Sequence, residues 1–170
     1  YPSISSLAGD DFLIKEAQYL ATLEHPNVAR IYTIDRTEDN IPYLIMEYIN
    51  SISIDNYCDD NQLDLNARLA LFKKVCSAVI EAHKNMILHA DIKPSNILVD
   101  HKGEPKLMDF GIAKTIEQTP DKKHHIDNTQ HGFNAASGLF ASPEQLQGEK
   151  LTTASDVYSL GKVLSHILKK

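Results

Sequence analysis

Asp91, Lys93 and Asn96 stand close together in ILHADIKPSNILVD (residues 87–100), bracketed by Met86-Ile87-Leu88 and Ile97-Leu98-Val99. Apolar runs of this kind read as buried strands or strand-like segments, and polar groups between them must find partners. A carboxylate, an ammonium and an amide converging on one loop therefore read as a site. A second lone carboxylate follows in Asp109-Phe110-Gly111. An Asp and an Asn presenting oxygens to one point suit a hard cation such as Mg²⁺. A positioned Asp91 can accept a proton from a hydroxyl, and Lys93 can neutralise phosphate charge. Together these are the parts of phosphoryl transfer.

The elements that must position these groups follow from periodicity. Ile97-Leu98-Val99, a turn at Asp100-His101-Lys102-Gly103 and Lys106-Leu107-Met108 predict a short hairpin, whose ends bring Asp109 near Asn96. Leu65, Leu69, Phe72, Cys76, Val79 and His83 alternate steps of four and three, predicting a helix of about twenty residues with one buried stripe. Val157, Leu160, Leu164, Ile167 and Leu168 predict a closing helix. Upstream, Asp10-Asp11 caps a helix carrying Phe12, Glu16, Leu20 and Leu23 that stops at His25-Pro26. Strands are expected over 28–34 and 42–48, with a turn at Thr37-Glu38-Asp39-Asn40. From 115 to 138 the pattern dissolves into a long polar loop, a type that is usually functional.

Composition sets outer limits. A chain of 170 residues with 42% hydrophobic content can bury one core. Its 17 basic and 23 acidic residues give a net charge of -6 with no basic stripe, which argues against nucleic acid as a partner. Cys58 and Cys76 lack metal or redox spacing and read as free thiols in a reducing compartment. No apolar stretch approaches membrane-spanning length, so no membrane contact is expected from this segment. Because the chain opens on Tyr1, a targeting segment ahead of it stays open.

These residues resemble the eukaryotic-type protein kinases. The stretch from His89 to Asn96 is similar to their catalytic loop, Asp109-Phe110-Gly111 to the metal-binding triplet, and Ser142-Pro143-Glu144 to the end of the activation segment. Asp156-Val157-Tyr158-Ser159-Leu160-Gly161 resembles the start of the large helix beneath the catalytic loop, and Glu16 falls where the family has its small-lobe helix glutamate. The wording ASPEQ and TTASDVYSLG looks most like the bacterial serine/threonine kinases, and Lys93 is the serine/threonine form. The resemblance implies an α+β, two-lobed kinase fold: a partial small lobe over 1–46, a hinge at 47–50 and a partial large lobe over 51–170, with an activation segment at 109–144. It implies MgATP as phosphate donor, a protein Ser/Thr hydroxyl as acceptor, and a cytoplasmic location, including that of a cytoplasmic domain of a longer, membrane-anchored protein. Oligomeric state is left open.

Carried over by residue, the resemblance makes Asp91 the base, has Lys93 contact the γ-phosphate, and gives magnesium to Asn96 and Asp109. Ser137 would bond the catalytic aspartate. Met46 would be the gatekeeper, the backbone of Glu47, Tyr48 and Ile49 would bond adenine, Leu98 would lie under the purine, and Ser95 would line the nucleotide site. Leu20, Ile31, His89 and Phe110 match the apolar spine that aligns the lobes. Plainer readings stand beside these. Glu16 is also an ordinary helix charge, Met46 and Leu98 are core residues either way, and Ser95 and Asp156 can serve backbone groups. His124, His125 and His131 read as a polar loop and not as a metal cluster.

The chain departs from the family in lacking the glycine-rich loop and strand lysine, in stopping at Lys170, and in carrying Ala90 where arginine is usual. It is expected to be a kinase domain truncated at both ends and inactive by itself. The competing readings are a pseudokinase that binds without turnover and a small-molecule phosphotransferase.

Overall fold

In the computed structural model, residues 20–39, 42–110 and 138–169 are described. Glu16, Ser137, Thr115 and the three loop histidines lie outside them. Leu20 is the last helical residue before a turn at 21–22. The helix expected to reach Leu23 therefore stops earlier. The chain must bend here because residues 25–29 are fastened elsewhere. His25 Nδ1 accepts from the Asn27 amide at 3.0 Å, while its Nε2 lies 2.9 Å from Ser77 Oγ.

Two antiparallel strands follow, β1 (Ile31–Arg36) and β2 (Pro42–Met46). Both are shifted or shortened relative to the sequence reading. Val28 is not in β1 but forms an isolated parallel bridge to Leu107, because Leu107 N donates to Asn27 O and Ala29 N to Leu107 O. β2 ends at Met46, and Glu47 N donates to Arg30 O at 2.7 Å.

The second sheet has the order β3 (Ser51–Ser53), β4 (Ile97–Asp100), β5 (Pro105–Leu107), antiparallel throughout. Between β3 and β4 in the chain lie α1 (Ile54–Asp60), α2 (Leu65–Lys84) and a 3₁₀ turn at Pro94–Asn96. The β4–β5 hairpin was legible in sequence. Its turn needs Gly103 at φ +79°, where a side chain would be strained and would meet the Tyr57 hydroxyl. No sequence signal announced β3 and α1: three residues are too few to show alternation.

α2 occupies the expected span, but its buried face is Arg68, Leu71, Phe72, Val75, Ala78, Val79 and Ala82. Leu65, expected inside, is 58% exposed, and Leu69, Cys76 and His83 are half-buried. The buried stripe turns toward Ala78, Ala82 and Arg68, whose guanidinium N–H groups reach Leu63 O, Cys58 O, Ile167 O and Asp59. A similar rotation affects α4 (Thr153–Ile167), which follows α3 (Pro143–Leu146). Val157 is 60% exposed and Leu168 is also exposed, while Ser155, Asp156, Ser159, Leu160, Val163 and Ile167 are buried. α2 packs on α4 and β5, so the core lies beneath the loop that carries Asp91. Met86, read as part of a buried run, is 88% exposed at φ +60°, closing the turn after α2.

Candidate active site

The loop between α2 and the 3₁₀ turn gathers the three polar side chains seen in the sequence. Lys93 Nζ lies 2.8 Å from Asp91 Oδ2, and Asn96 Nδ2 donates to the same oxygen at 3.0 Å and to Asp91 O at 2.9 Å. Asn96 is buried, whereas the Asp91 and Lys93 side chains keep about a fifth of their surface open, 21% and 22%. The amide group of Asn96 thus spends its donors on Asp91 and leaves its oxygen as an acceptor. Met108 N donates to Asn96 O at 2.9 Å, so the hairpin end sets Asp109 one residue from the Asn96 backbone. Asp109 is exposed at φ +54°. An amide oxygen and an accessible carboxylate form a donor set of hard oxygens that fits Mg²⁺.

Beneath the loop, His89 is fully buried and stacked at 4.6 Å on Phe110. Its Nδ1 accepts from the Asp91 amide at 3.2 Å, so its Nε2 carries the proton and donates to Met108 O at 2.9 Å. Burial holds this imidazole below its ordinary pKa of 6.5, against the opposing pull of Asp156 and the Met108 carbonyl. Asp156, 2% exposed, accepts from His89 N (2.9 Å), Ala90 N (2.8 Å) and His83 Nε2 (2.8 Å). A buried carboxylate is tolerated there because three donors meet it. Ala90, between these anchors, adopts φ +61°, a left-handed conformation that costs a non-glycine residue about 1 kcal/mol. Strain of this kind persists where the surroundings over-determine it, and functional sites are where it clusters.

Leu98 and Lys106 are opposed in the β4–β5 register and share the face turned away from the core. Next to that face runs the segment 47–50. Glu47 Oε2 lies 3.0 Å from Lys106 Nζ and accepts from Arg30 N at 3.1 Å. The Tyr48 and Ile49 amides donate to nothing among the described residues, and Met46 is half-buried. Ser95 is exposed on the 3₁₀ turn. Leu20 and Phe110 are buried in one cluster, with Ile31 packed against it.

On the far side, Ser142 and Gln145 form a capping box on α3, and Ser155 Oγ donates to Glu144 Oε1, holding that carboxyl below its usual range. Gln145 Nε2 also donates to Ala90 O at 2.5 Å. The sequence reading missed Gln145, Lys106 and His83. The S-x-x-Q spacing marks the cap, but nothing in the sequence marks its second bond.

Against this geometry, a model of the protein kinase domain matches residues 5–170. The chain belongs to the protein kinase family. It is 39% identical over 91% of its length to the serine/threonine-protein kinase PrkC of Bacillus subtilis, of which it spans 23%. It is 34% identical over 91% of its length to the serine/threonine-protein kinase PknB of Mycobacterium leprae, spanning 24% of that protein. To a probable serine/threonine-protein kinase PknB of Lactococcus lactis it is 33% identical over 96% of its length and 26% of the relative's. The chain therefore spans about a quarter of the curated relatives it matches. The small antiparallel sheets and the helices beneath them are those of a partial α+β kinase fold, as the motifs implied.

Within a kinase domain the clustering of Asp91, Lys93, Asn96 and Asp109 has a direct chemical reading. Both described thiols, Cys58 and Cys76, are free, and burial pushes each above its ordinary pKa, so neither competes as a nucleophile. Among the described residues no His/Cys/Asp/Glu cluster forms another metal site, and no helix is long and apolar enough to cross a membrane.

Proposed function

We propose that this chain is the catalytic part of a serine/threonine protein kinase that transfers the γ-phosphate of MgATP to a protein hydroxyl. The observation that carries the reading is the Asp91 carboxylate held by Lys93 and Asn96 on a strained loop, with Asp109 set beside it through Met108. A substrate hydroxyl brought to Asp91 gives its proton to the carboxylate as its oxygen bonds to the γ-phosphorus. The bond from that phosphorus to the β-phosphate oxygen breaks, and ADP leaves. Lys93 balances charge on the transferring group. Asn96 and Asp109 would hold the magnesium, which when bound neutralises phosphate charge. The amides of Tyr48 and Ile49, which donate to nothing among the described residues, suit an adenine edge, with Met46 and Leu98 as the apolar walls. Glu16 and Ser137 keep their family roles, as the partner of the strand lysine and of Asp91. The Lys93 form and the relatives' names support a Ser/Thr acceptor, and the need for ATP supports work in the cytoplasm.

The test uses the full-length parent protein. Asp91→Asn should lower kcat by about 10²-fold or more with nucleotide affinity unchanged, because the base acts on the hydroxyl. Asp109→Asn should weaken magnesium-dependent nucleotide binding as well as turnover. Full phosphorylation by the Asp91 variant would sink the mechanism.

A further inference from the structure

Asp91 is useful only if its peptide is fixed, and the neighbouring residue is the one under strain. The amide of Ala90 is held from below by Asp156 Oδ1 at 2.8 Å, and its φ of +61° turns the following peptide. The carbonyl of that peptide, bonded directly to the Asp91 nitrogen, accepts from Gln145 Nε2 at 2.5 Å, across a sequence separation of 55. The other end of the same amide group, Oε1, accepts from Ser142 N at 3.4 Å, and Ser142 is fully buried. Donor and acceptor therefore face opposite partners, and the Gln145 side chain has one orientation that satisfies both. Alanine at position 90 has no side chain with which to reach this segment; its carbonyl makes the link.

We propose that Gln145 is a positioning residue for Asp91. It locks the Ala90–Asp91 peptide from the side of Ser142-Pro143-Glu144, so that the end of the activation segment and the catalytic loop move as one piece without a phosphate-bearing link. This rests on the kinase reading above. Two roles compete for the same side chain, capping α3 through Oε1 and holding Ala90 through Nε2, and the substitutions separate them. Glu keeps the acceptor and loses the donor. Lys keeps a donor and loses the acceptor. Leu loses both.

In the full-length kinase, Gln145→Leu and Gln145→Glu should each lower kcat about tenfold or more, a barrier change of about 1.4 kcal/mol, with KM for ATP within about twofold. Gln145→Lys should recover most of kcat. Amide hydrogen exchange over 90–93 should quicken in the first two variants and not in the third. The reverse ranking, with the Glu variant active and the Lys variant impaired, would make Gln145 a helix cap and overturn the proposal, as would unchanged kcat in the Leu variant. Unfolding of the Lys and Glu variants alike would overturn it too. An inactive wild type would instead remove the kinase reading itself.

Discussion

At the scale of single residues, the loop is held by groups whose protonation is already decided. His89 donates from Nε2 and accepts at Nδ1, so a second proton would set an N–H against the Asp91 amide. Burial disfavours the charge as well and keeps the folded-state pKa below 6.5. The sign follows from linkage. Unfolded chains take up this proton as pH falls through 6.5 while the folded chain refuses it, so His89 costs no stability above that pH and progressively more below it. The slope for one such group is up to about 1.4 kcal/mol per pH unit, continuing down to the depressed folded value. Urea midpoints for wild type and His89→Gln between pH 7.5 and 5.5 check this. The variant is expected to be less stable at pH 7.5 yet to lose stability less steeply on acidification. Equal slopes would mean that His89 is charged in the folded protein.

At the scale of elements, the hairpin, α2 and the site loop were legible because they rest on local chemistry: a glycine turn, a long 3.6-residue period, polar side chains between apolar runs. The same sequence hid which side of each helix is inside. Leu65 and Val157 read as core and are exposed, while Arg68 and Ser155, which no apolar pattern marks, are buried. Partners distant in sequence decide those positions, and Arg68 is the clearest. Its guanidinium donates to Leu63 O at 2.8 Å, Ile167 O at 2.6 Å and Cys58 O at 3.1 Å, and pairs with Asp59 at 3.3 Å. One side chain thus ties the ends of α1 and α4 to the start of α2. Arg68→Met would fill similar volume but remove the donors to the Leu63 and Ile167 carbonyls, while Cys58 O keeps the Leu63 amide at 2.9 Å. The expected loss is about 3 kcal/mol by chemical denaturation, with Arg68→Lys intermediate because it lacks the fork. A loss under about 1 kcal/mol for the Met variant would show that these carbonyls find water.

At the scale of the whole molecule, the described contacts join the two sheets at two seams. One is the backbone exchange of Asn27 and Ala29 with Leu107, backed by Asn27 Nδ2 donating to Pro105 O at 2.8 Å. This seam is buried and carries no net charge. The other is the Glu47–Lys106 ion pair, with side chains 27% and 20% exposed, which ties the segment after β2 to β5 on the face that holds Leu98. A pair so shielded is screened less by salt than a surface pair, and its oxygen also accepts from Arg30 N. Lys106→Met keeps the apolar stem and removes the clasp. Stability should change by about 1 kcal/mol or less, since Glu47 can turn to solvent. The larger effect follows from the proposed adenine-binding role of 47–49: nucleotide Kd in the full-length kinase should rise about three- to tenfold, roughly 0.7–1.4 kcal/mol, with kcat at saturation changed less. Glu47→Gln alone should weaken binding similarly, and the double variant should be little worse than either single one, because both delete the same contact. Titration with a fluorescent ATP analogue measures all four proteins. Additive losses in the double variant would show that Glu47 and Lys106 act on the nucleotide separately and that the clasp does not set the segment 47–49.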